Sequence, residues 1–272
     1  MSIKERIDSD LRIATWNLER PQSVNEPRVA VQRERLKKIN ADVWILTEAH
    51  DQVSPGDKYE AIHSRKIPEG VYDGEHRTII WSRFPVRKII PTHDPESAVC
   101  VELETPMGDF LVYGTVLPYQ HAATQGMSYY SGGMKVKGRK GWELHYESIQ
   151  RHQADLKTLI ERHPTHHICF GGDLNQSRDG KVWPWGRQWY GTHHGRTLLT
   201  DCLEQSGLNC VTERDFNETG QLPSKSSVDH LCVSNSLTKH VVHVDAWQAD
   251  CLKGKPVSDH NGVCVDLSIV RR

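Results

Sequence analysis

Apolar and polar positions along the chain follow two rhythms. Short alternating or continuous apolar runs rich in β-branched residues predict strands. The first spans Leu11 to Leu18 and ends near Asn17. The next is the compact run Asp42 to Thr47, with Glu48 at its end. Further strands are predicted over Thr78–Trp81, Val86–Ile90, Ala98–Leu103, Phe110–Thr115, His167–Phe170, Val228–Val233, Val241–Trp247 and Val263–Ile269. Pro106-Met107-Gly108-Asp109 lies between two of them and predicts a hairpin. Helical spacing marks Arg28–Asn40, with Leu36 and Ile39 on one face, then Glu143–Arg162 and the short Thr197–Gln205. In the longest of these, Ile149, Leu156, Leu159 and Ile160 form the inner face.

Two stretches break both rhythms. Residues 121–141 hold five glycines together with Lys135, Lys137, Arg139 and Lys140, and predict a long mobile loop. Residues 183–195 (WPWGRQWYGTHHG) predict a loop rich in Trp, His and Gly. Strands and helices mix from end to end without an internal repeat or a linker, so the pattern predicts one α/β domain over residues 1–272.

Composition narrows the classes. A chain of 272 residues can bury a sizeable core without covalent staples. No apolar run reaches the length of a membrane span, and the N-terminus shows no secretory signal. The net charge of −1 argues against a protein held on nucleic acid mainly by a basic surface, but not against a metal-assisted enzyme acting on phosphates. The seven cysteines are odd in number and form no C-x-x-C pair. They predict reduced, buried thiols in a reducing compartment, the cytoplasm, rather than a zinc framework.

The candidate chemistry sits at strand ends. Asn17, Glu48, Asp173 with Asn175, Asp229, and Asp259 with His260 each adjoin a predicted buried strand. Strands of one sheet can bring such residues to one edge. The set is dominated by oxygen donors and has no cysteine, which suits Mg²⁺ or Mn²⁺ rather than zinc.

TWNLE (Thr15–Glu19), ILTE (Ile45–Glu48), GGDLN (Gly171–Asn175), SVDH (Ser227–His230) and SDH (Ser258–His260) follow one another in a register that resembles the endonuclease/exonuclease/phosphatase superfamily. That group includes pancreatic-type deoxyribonuclease, exonuclease III-like repair enzymes, sphingomyelinases and inositol polyphosphate 5-phosphatases. HRTIIWSRFPV (His76–Val86) is similar to its paired strands before the midpoint. The resemblance runs from about residue 11 to 269. It implies a two-sheet α/β sandwich of the deoxyribonuclease I-like kind, with helices on the outer faces and the site at one edge.

The resemblance also implies roles. Glu48 would be the principal carboxylate ligand of a divalent metal, Mg²⁺ or Mn²⁺, with Asn17 and Asp259 close to it. Asp173 would orient and deprotonate the attacking water, and Asn175 would hold a phosphoryl oxygen or the nucleophile. His260 would contact the phosphoryl group, and Asp229 would hydrogen-bond His260 and favour its imidazolium form.

The chain also departs from the family pattern. Val116 stands where a His or Tyr is common, with Tyr119 and His121 as the nearby substitutes. Ser226-Ser227-Val228 replaces the aromatic and basic residues that precede the Asp in abasic-site enzymes.

Bland readings stand beside these. Asp173 and Asn175 could form an Asx turn, His260 a surface histidine, and His230 an ordinary strand residue. Residues 135–140 could be a solvated loop or a phosphate-backbone contact. Trp183, Trp185, Trp189 and Tyr190 could pack on the core or stack on bases. The adjacent pairs His166-His167 and His193-His194 each point in divergent directions, so neither alone makes a metal site.

The expected function is metal-dependent phosphodiester hydrolysis on nucleic acid, without a membrane. The alternatives are a small-molecule or lipid-head-group phosphatase of the same group, or a non-catalytic module that kept the fold.

Overall fold

The computed structural model describes residues 10–66, 72–124, 130–180, 190–223 and 226–269. In chain order its elements are β1 (Leu11–Asn17), α1 (Pro27–Ile39), β2 (Val43–His50), β3 (Glu60–His63), β4 (Glu75–Ser82), β5 (Val86–Ile90), β6 (Ala98–Thr105), β7 (Gly108–Val116), α2 (Glu143–Arg162), β8 (His167–Asp173), α3 (His193–Gln205), β9 (Leu208–Cys210), β10 (Asp229–Ser234), β11 (Val241–Trp247), β12 (Cys251–Leu252), β13 (Lys255–Pro256) and β14 (Gly262–Leu267). Short 3₁₀ turns join several of them.

The strands build two six-stranded sheets, ordered β11-β14-β1-β2-β4-β3 and β5-β6-β7-β8-β10-β9, with β12 and β13 as a separate ribbon. Each large sheet contains one parallel pair. β1 and β2 are joined through α1, and β7 and β8 through the segment that ends in α2. A parallel pair needs such a crossover, and its helix must cover the sheet face. The fold is therefore the two-sheet α/β sandwich that the motifs imply.

Three apolar layers follow from strand alternation. Ile13, Ile45, Ile80, Val112, Phe110, Leu231 and Val265 fill the space between the sheets. Trp16, Trp44, Leu46 and Trp81 face outward from the first sheet and meet Leu36 and Ile39 of α1. Tyr113 and Phe170 face outward from the second and meet Ile149, Leu156 and Leu159 of α2 and Leu199 of α3. α1 buries Val29, Gln32, Leu36 and Ile39 and stops at Asn40, whose φ of 54° places it in the left-handed region. No helix among the described residues is long and apolar enough to cross a membrane.

Several expectations need correction. β2 runs on to His50, past Glu48. α3 starts at His193, four residues earlier than predicted, because the Thr192 side chain accepts a hydrogen bond from Gly195 N at 3.0 Å and caps it. The strands β3 and β9 were not predicted. β3 is a four-residue edge strand with one buried side chain, and β9 has three residues. Residues 121–141 are anchored at four described positions, while 137–141 are exposed. Ala122, Tyr130, Met134 and Val136 bury themselves against Leu144 of α2.

Candidate active site

Topology brings the motif residues to one end of the sandwich. Asn17 ends β1, and Glu48 lies on the parallel neighbour β2. Asp173 ends β8, and the antiparallel β10 begins at Asp229, directly opposite it. β14 runs antiparallel to β1, so Asp259 and His260, just before β14, arrive at the same edge.

Asp173 is the centre of the network. Its Oδ2 accepts from Asn17 Nδ2 at 3.1 Å and from Asn175 Nδ2 at 3.0 Å, and its Oδ1 accepts from Asn175 N at 3.0 Å. Asn175 also donates to Leu117 O at 2.8 Å. Asp173 and Asn175 therefore do form an Asx turn, and that turn is what points the carboxylate at its neighbours. Gly172 makes the approach possible. Its φ is +128°, and a Cβ there would lie 2.0 Å from Thr115 O. Burial pushes the Asp173 carboxyl up to about 7, against the pull of the nearby His260.

His260 Nδ1 lies 2.7 Å from Asp229 Oδ2, and its Nε2 lies 4.0 Å from Asp173 Oδ2. Burial opposes charging this ring, but the carboxylates of Asp229, Asp173 and Asp259 outweigh burial and push it up to about 10. His260 is thus an imidazolium that donates to Asp229. Trp16 Nε1 donates to His260 O at 3.1 Å, and Ser258 Oγ donates to Asn17 O at 2.7 Å, which fixes the loop on β1. Ser258 was not singled out in the sequence beyond its place in SDH.

The donor atoms of Asp173, Asp229 and His260 lie within 4.8 Å of one another, a spacing that a cation could bridge. A metal-bound histidine must be neutral, however. In the metal-free chain the three are held together by the His260–Asp229 hydrogen bond and the 4.0 Å approach of His260 to Asp173. Glu48 fits a cation better. Its backbone has a φ of 47°, and burial raises its carboxyl above the usual range. Its carboxylate makes no hydrogen bond or ion pair among the described residues, although His260, Arg20 and Arg77 lie close enough to oppose that shift. Asn17 Oδ1, which accepts from Glu19 N at 2.8 Å, and the Asp259 carboxylate are the further oxygen donors that could hold a cation with it. Asp259 is 61% exposed, at the rim, with Oδ1 3.7 Å from His260 Nε2.

Other expectations fall out directly. His230 is a strand residue pointing away from the site, with Nε2 2.9 Å from Gln176 O. Val116 is buried and pairs with Asp173 across β7 and β8, so it brings no polar group. Tyr119 and His121 contact each other with ring centroids 6.4 Å apart. Trp183, Trp185 and Trp189 lie outside the described residues. Tyr190 stands near the site, where burial pushes its hydroxyl up to about 12 and Asp173, Tyr119, Asp259 and Glu48 add to the shift. Trp142 meets Tyr190 edge to face at 5.5 Å.

Sequence reasoning missed Arg77 and Tyr130. The Arg77 guanidinium lies 3.9 Å over the Tyr130 ring and donates to Ser97 Oγ at 3.1 Å. A single arginine inside an otherwise buried strand was the available signal.

Comparisons with known proteins agree with this architecture. The endonuclease domain of TRAS1, a telomere-specific non-LTR retrotransposon, superposes with a TM-score of 0.57 at 15% identity, covering 95% of this chain and 98% of that one. Truncated Caenorhabditis elegans TDP2 superposes with a TM-score of 0.55 at 16% identity, covering 95% and 97%. Both likenesses concern the fold alone. A search of curated proteins finds no match. The family profile described as "Endonuclease/Exonuclease/phosphatase family" matches residues 14–260, from β1 through His260. The chain belongs to the endonuclease/exonuclease/phosphatase family.

Proposed function

We propose that the chain is a divalent-metal-dependent phosphodiesterase that cleaves nucleic acid. The observation that carries this reading is the charged His260, held by Asp229 at 2.7 Å and standing 4.0 Å from an Asp173 carboxylate that two asparagine amides keep in place. Hydrolysis of a phosphodiester needs a water aligned with the leaving oxygen, a proton acceptor for that water, and positive charge for the equatorial oxygens.

Asp173 has the position and, at about 7, the basicity to take the proton. His260 supplies fixed positive charge through Nε2, and Asp229 holds its ring. Asn175 and Asn17 keep the Asp173 carboxylate from rotating. Glu48, Asn17 and Asp259 would hold Mg²⁺ or Mn²⁺, which supplies Lewis-acid charge to the phosphate. Tyr190, Tyr119 and Trp142 offer aromatic surface on which bases can stack. One structural neighbour, the endonuclease domain of TRAS1, favours the same substrate class.

The near-neutral net charge favours a second reading, a phosphatase for a small phosphorylated molecule. A panel of supercoiled plasmid, single-stranded DNA, RNA, sphingomyelin and inositol phosphates separates the two. Polymer cleavage in Mg²⁺ or Mn²⁺ is expected. It should be abolished by EDTA and reduced roughly 10²–10⁴-fold by Asp173→Asn. Head-group or phosphate release with intact polymers would establish the second reading instead.

A further inference from the structure

The opposite end of the second sheet carries another cluster of donors, far from the chemistry. β8 is seven residues long, so His166, just before it, lies about 20 Å from Asp173 at its other end. His163 caps the C-terminus of α2, and its N donates to Leu159 O at 2.8 Å. His166 N donates to His163 O at 3.1 Å, which closes the His163-Pro164-Thr165-His166 turn. The turn sets the two imidazoles edge to face, with centroids 4.8 Å apart. Glu102 lies in β6 two residues from Cys100, so it shares the sheet face that Cys100 turns toward α2.

These three side chains place one donor atom each within 4.8 Å of the others. Glu102 Oε1 and His166 Nε2 are 3.5 Å apart, an ion-pair separation without hydrogen-bond geometry. Two donors bound at about 2.1 Å to a tetrahedral ion sit roughly 3.4 Å apart, so this pair already has the spacing of a ligand shell. Both ring nitrogens of His166 are buried and make no hydrogen bond to any described residue. Buried polar atoms in folded proteins nearly always have a partner, and an unpaired imidazole beside a second imidazole and a carboxylate lacks the one a cation would supply. The donor set also differs in kind from that at the strand-end site. Two imidazoles and one carboxylate are the ligands of Zn²⁺ and related borderline cations, whereas the oxygen donors around Glu48 suit Mg²⁺.

We propose that Glu102, His163 and His166 form a second, structural metal site of the Zn²⁺ class, with one position left for water. Such an ion would pin the C-terminus of α2 and the entry to β8 onto β6. It would act as a staple in a chain that has no disulfide among its described cysteines.

Equilibrium dialysis and calorimetry of the metal-stripped, untagged full chain with ZnCl₂ test this. One equivalent of Zn²⁺ is expected, lost in His163→Ala and His166→Ala and weakened at least about tenfold in Glu102→Gln. It should be retained in Glu48→Gln and in His193→Ala, which removes an exposed histidine. Co²⁺ should give the visible bands of a tetrahedral nitrogen–oxygen site in wild type and Glu48→Gln but not in His166→Ala. Circular dichroism reports folding, and if a histidine variant unfolds, the near-isosteric Glu102→Gln decides. No bound equivalent, one that survives both histidine variants, or one that disappears with Glu48→Gln would overturn the proposal.

Discussion

A histidine in water loses half its charge near neutrality, yet the ring at position 260 keeps its proton because three carboxylates surround it. The sign of the linkage follows. A pKa raised from 6.5 to about 10 contributes stability that is fully present below about 6.5 and is lost as pH rises toward 10. NMR of the metal-free chain should find the His260 ring protonated at pH 8. Asp229→Asn should move its titration down and cut the hydrolytic rate roughly 10²–10³-fold. Asp94 shows the converse case. Burial pushes its carboxyl up to about 7, and neither oxygen has a hydrogen-bond partner among the described residues. A raised acid costs stability as pH climbs from about 4 to 7. Asp94→Asn should therefore change little at pH 3 and stabilise by up to about 4 kcal/mol at pH 8, read by urea melts at both pH values. At this scale the sequence was eloquent where motif residues adjoin strands, as with Asp173, Asn175 and His260. It was mute about Arg77 and Tyr130, which meet only because a distant segment folds back over β4.

Elements position these groups, and the β7–β8 contact is the tightest. Gly172→Ala would drive a methyl group into the Thr115 carbonyl. Loss of at least about 2 kcal/mol is expected from strain and collision, with activity falling further than stability because Asp173 is the next residue. Thermal melts alongside hydrolysis rates check this. α2 carries a buried polar stripe on the same face as its apolar one. His145 Nδ1 donates to Pro118 O at 2.8 Å, and Tyr113 Oη donates to Asp155 Oδ2 at 2.7 Å. Long elements such as α2 and the buried strands were legible because burial imposes a period. The edge strands β3 and β9 bury too few side chains to show one. In residues 130–136 the glycines and lysines conceal three apolar anchors, Tyr130, Met134 and Val136, which the composition alone does not reveal.

The whole molecule is closed by pairing between segments far apart in sequence. Arg12 of β1 and Asp266 of β14 lie directly opposite and form a buried two-point ion pair at 2.6 and 2.7 Å, although 254 residues separate them. Asp266→Ala leaves a buried guanidinium without its main partner and should cost about 3–5 kcal/mol, measured by denaturant unfolding. The sandwich architecture was implied by the order of the motifs, whereas the strand order within each sheet depends on pairings that no local pattern encodes.

The place of β14 between β11 and β1 has a consequence for how the protein comes into being. Until β14 is in place, β11 has no partner in the first sheet and β1 exposes an unpaired edge. The loop bearing His260 joins the other motif residues only when β14 pairs with β1. Closing the first sheet and assembling the candidate site are therefore one long-range step, and pairings of that kind form slowly. A chain caught before that step presents open strand edges, the kind of surface that invites aggregation.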